Sequence, residues 1–282
     1  MQHQRWWTDV VTWDDRGDEW DRALATLPAE EQRQVTRYLF AKDRKLALAS
    51  RLLQRRLVSD LFDVAFEDVD IRRTPENKPF WYRGDTQRTP ATWNFNVSHH
   101  GSVVAIVSHP RALVGVDVVR TTDRPRGSVD EFFRAFADHF TPLEWNYIRG
   151  QPGGCEDDQY CRFYRLWSLK EAYIKAIGIG LGFTLLRAEF SQSGEQWQMK
   201  LDGQLADEWT FECTQLGADH LVSVAYGPPN AMWSPETSSI FPVPIDALER
   251  WDPRQGDEEQ QQAVPTWRTW QLSELLPTLG DR

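Results

Sequence analysis

The chain has 282 residues, 40% of them hydrophobic and 26% charged, with a net charge of −10; this is the balance of a globular protein of one large or two modest domains, and it excludes disorder throughout. No apolar run approaches the ~20 residues that cross a bilayer, the start Met1-Gln-His-Gln-Arg-Trp-Trp-Thr-Asp lacks a secretion signal's apolar core, and Cys155, Cys161 and Cys213 make neither a CxxC pair nor a disulfide framework. The expectation is a cytoplasmic protein with no membrane partner.

The first 27 residues mix Trp6, Trp7, Val10, Val11 and Trp13 with acids, and predict an opening strand and a loop. Pro28-Ala-Glu-Glu then opens a helix, with proline in the first turn and acids at the positive end of the dipole. Leu46, Ala49, Leu53, Leu57 and Leu61 form the buried stripe of a second helix, or a continuation of the first, that reaches Phe62. Between Glu30 and Arg56 eight basic residues face three acids, a local excess of +5 in an acidic chain. Taken singly, most of these cations are solvated helix faces. Together they mark a seat for an anionic ligand, and not a nucleic-acid-binding domain, which would be basic as a whole.

Ile71-Arg-Arg-Thr-Pro-Glu-Asn-Lys-Pro-Phe-Trp-Tyr predicts a short hairpin turned by Pro75 and Asn77, with Arg73 and Lys78 at the turn. The runs 93–98, 102–108 and 113–119 predict three strands in a meander. In the third, alternation puts Gly115, Asp117 and Val119 on one face and Val114, Val116 and Val118 on the other. An aspartate inside an otherwise apolar strand must cap, pair or bind a cation, because an uncompensated buried carboxylate neutralises or breaks the strand. Asp117 is therefore a candidate functional residue in its own right.

The polar connector 121–127 is the expected domain boundary, giving α/β subdomains at 1–120 and 121–227 and a proline-rich tail at 228–282. Helices at 129–140 and 142–149 and a Gly/acid loop at 150–158 lead to the key helix, 165–178. There Leu169, Ala172, Tyr173, Ala176 and Ile177 form one buried stripe, while Ser168, Glu171 and Lys175 line up on a second face. Alone, that second face reads as an exposed ion pair worth about 0.3–0.5 kcal/mol. Strands follow to 227, and Trp251, Trp267 and Trp270 are expected to pin the tail.

Two carboxylates on separate elements, Asp117 and Glu171, with cations Arg73, Lys78 and Lys175 and the polar pair Ser98 and His99, suit a magnesium ion that shares its shell with a polyphosphate. No Walker-type loop is present, so nucleoside-triphosphate hydrolysis is not indicated. The motifs Asn77-Lys78-Pro79, Phe95-Asn96-Val97-Ser98-His99, Gly115-Val116-Asp117 and Trp167-Ser168-Leu169-Lys170-Glu171-Ala172-Tyr173-Ile174-Lys175-Ala176, in this order, resemble the surfactin-type 4′-phosphopantetheinyl transferases. The resemblance covers roughly residues 30–227 and is greatest to the animal and fungal broad-specificity branch tied to lysine biosynthesis. It implies an α/β (α+β) chain of two similar halves related by a pseudo-twofold, with coenzyme A in the cleft between them. By that resemblance Arg73 and Lys78 meet the adenosine end of coenzyme A with its 3′-phosphate, Asn96, Ser98 and His99 line the same region, Asp117 and Glu171 hold Mg²⁺, and Lys175 neutralises the diphosphate. The implied reaction moves the phosphopantetheine arm onto a serine of an acyl- or peptidyl-carrier domain, as in fatty-acid, polyketide, peptide-synthetase or aminoadipate-reductase systems, and releases adenosine 3′,5′-bisphosphate. Glu171 is the implied base, and a monomer suffices. Two departures stand out: Val119 occupies a position where many bacterial members carry a further acid, and Asn77 replaces a usual glycine. The rival readings are a non-catalytic binder of coenzyme A or a carrier domain and, less favoured, a metal-dependent phosphatase.

Overall fold

The computed structural model describes residues 3–83, 92–151, 153–231 and 266–277. In chain order they form β1 (Gln4–Asp9), α1 (Asp18–Ala25), α2 (Ala29–Thr36), α3 (Ala41–Phe62), β2 (Asp70–Arg73), β3 (Pro79–Tyr82), β4 (Asn94–His100), β5 (Val103–His109), β6 (Leu113–Arg120), α4 (Val129–Ala135), α5 (Pro142–Arg149), α6 (Glu156–Ile177), β7 (Ala188–Ser193), β8 (Gln196–Leu201), β9 (Gln204–Leu205), β10 (Thr210–Leu216), β11 (His220–Gly227), β12 (Arg268–Thr269) and α7 (Leu272–Leu275). The sequence strand, three helices, hairpin, two strands occurs twice, from β1 to β5 and from β6 to β11. In each half the opening strand pairs antiparallel with the last one, β1 with β5 and β6 with β11. A 22-residue helix covers each sheet, α3 on β4 and β5 and α6 on β6, β10 and β11. The chain is thus an α+β protein of two similar halves, and no helix among the described residues is long and apolar enough to cross a membrane.

The meander expected of β4, β5 and β6 stops after its first pair. Strand β4 pairs with β5, but β6 pairs along its whole length with β11, in the sheet ordered β6-β11-β10-β8-β7. Strand propensity does not specify a partner, and the other edge of β6 is satisfied in a different way. Side chains at alternate positions of β4 accept its outward amides: Asn94 from Val114, Asn96 from Val116, Ser98 from Val118 and His100 from Arg120, at 3.0–3.2 Å. Asn94, Asn96 and Ser98 are buried, where an unpaired amide or hydroxyl costs ~1–3 kcal/mol. This ladder of side chains joins the two halves.

The key helix begins earlier than the expected Arg165, at Glu156. The acids Glu156, Asp157 and Asp158, taken in the sequence as loop, sit in its first turn, where the N-terminal end of the dipole favours negative charge. Its end falls where expected, at Gly178, with φ 74° and its N–H on Ile174 O. The apolar stripe read from the sequence is buried throughout.

Of the tail, β12 adds parallel to β1 and Trp270 packs at 4.7 Å from Trp6, while Leu272 and Leu275 enter the same core as α1 and α3. Trp267 packs on a separate cluster under β6 and β11; Trp251 lies outside the described residues. Trp270 is 2% exposed, and truncating a buried aromatic costs about 3–5 kcal/mol through lost burial and the cavity left behind. Trp270→Ala should lower the stability of the protein by about 3 kcal/mol in urea unfolding. A loss below about 1 kcal/mol would show that the tail is an ornament on a core closed without it.

Candidate active site in the cleft between the halves

A cleft of about 520 Å³ opens between the β2–β3 turn, β4 and the last turns of α6, with Arg73, Asn96, Glu171 and Lys175 in its walls. Beyond α6 lies a second cavity of about 440 Å³, lined by Ser98, His99, Asp117, Val119, Glu171, Lys175 and the aromatic rings of Phe132, Phe136, Phe163 and Trp167. Glu171, Lys175 and Trp167 line both. The ridge seen in the sequence as a weak surface pair is therefore the wall between two cavities, and the strand aspartate and the helical glutamate share one of them.

Alternation along β6 puts Asp117 against α6. Lys175 Nζ donates to Asp117 Oδ1 at 2.5 Å and to Ser98 Oγ at 2.9 Å. Ser98 in turn donates to Asp117 Oδ1 and accepts from Val118 N, both at 3.2 Å. Ser168 Oγ donates to the Asp117 carbonyl at 3.3 Å. One oxygen of Asp117 is held by a cation and a hydroxyl on both sides, which explains a carboxylate 6% exposed in an apolar strand. Glu171 makes no side-chain hydrogen bond among the described residues; burial first, and then the charge of Asp117, raises its pKa above the ordinary carboxylate value, with Lys175 opposing. Two carboxylates that repel across a cavity are a donor set for a hard divalent cation. Val119 adds an apolar wall to the same cavity, and no group of three His, Cys, Asp or Glu side chains gathers among the described residues.

The cations divide. Arg73 Nη1 donates to Asn77 O at 2.9 Å and borders the cleft. Arg51 lies close by: burial lowers its pKa, Glu31 opposes, and the charges of Arg73 and Arg37 act with burial. Arg51 belongs to the α3 face and carries no motif, so no sequence signal distinguished it. The island is engaged locally, Arg33 with Glu30, Arg44 with Asp15, Arg55 with Glu31, and Arg51 itself with Glu31 at 3.6 Å and Gln34 Oε1 at 2.8 Å.

Lys78 borders the same cleft, but its ammonium is already engaged. The residue is 4% exposed and Nζ donates to Lys175 O at 2.8 Å, Ala176 O at 3.0 Å and Val114 O at 3.1 Å. An ammonium has three hydrogens, so none is left for a phosphate. Burial pushes its pKa down to about 7, while the two carbonyls at the negative end of α6, with that of Val114 in β6, favour keeping the proton. Asn77 has φ 69°, a left-handed conformation that asparagine adopts more readily than most side chains, so the departure at this position preserves the turn. His99 stands on the exposed face of β4 beside the second cavity; enclosure by neighbouring groups and then Lys175 and His100 lower its pKa, leaving a neutral imidazole.

Lys170, within the helical motif but given no role from sequence, has its ammonium fully buried on Glu144 Oε2 at 3.0 Å, Leu185 O at 2.9 Å and Ala188 O at 2.5 Å. Glu144 also accepts from Thr141 N and Phe190 N. Burial raises the Glu144 pKa and Lys170 opposes it. This pair holds α6 to α5 and β7.

Comparison with known proteins identifies the family. A family described as "4′-phosphopantetheinyl transferase, N-terminal" matches residues 11–111, and the "4′-phosphopantetheinyl transferase superfamily" matches residues 113–225. The two meet at the start of β6, where the structural repeat begins. The L-aminoadipate-semialdehyde dehydrogenase-phosphopantetheinyl transferase of Pongo abelii is 36% identical over 239 residues, 82% of this chain and 76% of that protein. The phosphopantetheinyl transferase of a Thraustochytrium species is 40% identical over 228 residues, 79% of this chain and 77% of that one. Among solved structures, Thermotoga maritima holo-[acyl-carrier-protein] synthase overlaps 42% of this chain and 64% of its own at 18% identity, with a TM-score of 0.32. The chain belongs to the 4′-phosphopantetheinyl transferase superfamily.

Proposed function

We propose that this chain transfers the 4′-phosphopantetheine arm of coenzyme A to a serine hydroxyl of a carrier-protein domain and releases adenosine 3′,5′-bisphosphate. The observation that carries the reading is the shared cavity: Asp117, Glu171 and Lys175 converge where the cleft bordered by Arg73 meets an aromatic bay. The serine oxygen bonds to the β-phosphorus, the bridging P–O bond to the nucleotide breaks, and the serine proton passes to Glu171. Burial and Asp117 raise the proton affinity of that carboxylate, which suits a general base. Lys175 neutralises the diphosphate. Arg73, backed by Arg37 and Arg51, receives the 3′-phosphate, and His99 offers an imidazole hydrogen bond to the same region. Asn96 and Ser98 position β6 and Asp117 through the ladder from β4 and do not themselves need to touch phosphate.

Asp117 and Glu171 would hold a magnesium ion, a hard cation that favours carboxylate oxygens, and Val119 beside them offers no ligand. When bound, Mg²⁺ supplies charge stabilisation for the developing bisphosphate. All the groups named come from one chain, so a monomer carries the whole site.

The relatives' names point to the carrier domain of an aminoadipate-semialdehyde dehydrogenase as the first partner to test. Intact-mass spectrometry of that apo domain, with acyl- and peptidyl-carrier domains alongside, after incubation with coenzyme A and magnesium should show the gain of one phosphopantetheine arm. Binding of coenzyme A with no gain on any carrier would establish the non-catalytic reading.

A further inference from the structure

Lys78 reaches from the β2–β3 turn of the first half into the second half of the molecule. Its three partners are the carbonyls of Lys175 and Ala176, in the last turn of α6, and Val114 in β6. The last carbonyls of a helix have no partner within it, and this ammonium satisfies two of them. The site is built to receive the side chain: a Cβ on Gly178 would stand 3.3 Å from Lys78 Cδ. The turn that presents it is closed by Thr74 N on Lys78 O at 2.9 Å and by Lys78 N on Thr74 Oγ1 at 3.2 Å. One of the clasped carbonyls belongs to Lys175, the residue whose ammonium grips Asp117 and Ser98.

We propose that Lys78 is a positioning residue, a buried clasp that pins the end of α6 to β6 and so sets Lys175 and Glu171 against Asp117, and not a ligand of the coenzyme's phosphates. The inference rests on the proposed transferase reading for its kinetic consequence, but the clasp itself is testable without turnover. Joined at its other flank by Lys170 on Glu144, α6 is held between two buried ammonium groups. Lys170 ties it to its own half, while Lys78, together with Lys175 on Ser98, ties it to the other.

Reductive methylation of the wild-type protein with formaldehyde and cyanoborohydride, followed by peptide mass spectrometry, reads the placement directly. Lys175, whose side chain is 31% exposed, should be labelled in the free protein and protected by coenzyme A. Lys78 should resist labelling in both states. Labelling of Lys78 in the free protein, whether or not coenzyme A then protects it, overturns the clasp. Turnover gives the second arm. In Lys78→Met, kcat at saturating substrates should fall about 10- to 100-fold, the scale of a misplacement of roughly 1 Å, while the Kd for coenzyme A by calorimetry stays within about threefold. A tenfold or greater loss of coenzyme A affinity with kcat retained would make Lys78 a phosphate contact. If that variant does not fold, the labelling decides, and wild-type transfer measured alongside separates failure of the clasp from failure of the transferase reading.

Discussion

Glu171→Gln should lower kcat for carrier modification by about 10²–10⁴, the range attributable to a positioned general base. The substitution keeps size and shape while removing both the proton acceptor and one of two carboxylates that face the shared cavity. It also separates chemistry from folding, because among the described residues the Glu171 side chain makes no hydrogen bond that the amide would break. Stability should move the other way. Burial and Asp117 raise the Glu171 pKa in the folded chain, so between the ordinary carboxylate value and the raised one the folded state binds more protons than the unfolded state. Stability from this group is thus present at low pH and lost as pH rises through the raised value. The glutamine variant does not titrate. In chelator, its melting temperature should match that of the wild type in acid and exceed it at neutral pH. Asp117→Asn should lower the Glu171 pKa by removing its second cause, and should narrow that gap. Wild-type turnover by Glu171→Gln in a folded protein would end the assignment of the base, and a melting difference independent of pH would show that the carboxylate is not under the stated strain.

The parts of this site that were legible in the sequence are those where a residue conflicts with its own element. Asp117 in a valine-rich strand and Glu171 on a second ridge of an already amphipathic helix both carry more polarity than packing requires. Their convergence was an expectation from motif order, and the fold supplies the geometry through the packing of α6 on β6. What stayed hidden depends on partners far away in the chain. The pairing of β6 with β11 instead of β5 cannot be read from strand propensity, and it moves β6 into the structural repeat of the second half. The polar positions of β4 look like ligand contacts until the free amides of β6 are known to face them. Lys78 bears a positive charge in a motif, which suggests phosphate, but it is consumed by carbonyls that only the tertiary fold brings near, and Lys170, given no role from sequence, is spent on Glu144 and two carbonyls in the same way. Arg51 is a helical arginine like its neighbours until Arg73 is placed beside it.

Gly115→Ala should disable both the fold and the chemistry, although it adds a single methyl group. A Cβ at Gly115 would lie 2.0 Å from Ala172 O, 2.4 Å from Ala176 N and 2.9 Å from Ala176 Cα. All three are backbone atoms of the helix that carries Glu171 and Lys175, so no side-chain rotation relieves the overlap. The glycine is there because α6 crosses β6 at a distance that leaves no room for a side chain. Ordinary carbon–oxygen contact needs upward of 3 Å, which requires α6 to lift from β6 by about 1 Å. Overpacking of a dense core costs ~1–3 kcal/mol when side chains can yield, and here the burden falls on backbone held by the buried Lys170–Glu144 pair and by Lys78. The expected loss is therefore at or above about 3 kcal/mol in urea unfolding. Where the variant still folds, the same lift draws Lys175 from Asp117 and should reduce kcat about 100-fold, with the loss concentrated in kcat because Arg73 hydrogen-bonds within its own turn, to Asn77 O, and not to the displaced helix. An alanine variant of wild-type stability and rate would mean that α6 does not depend on this close approach to place its glutamate and lysine.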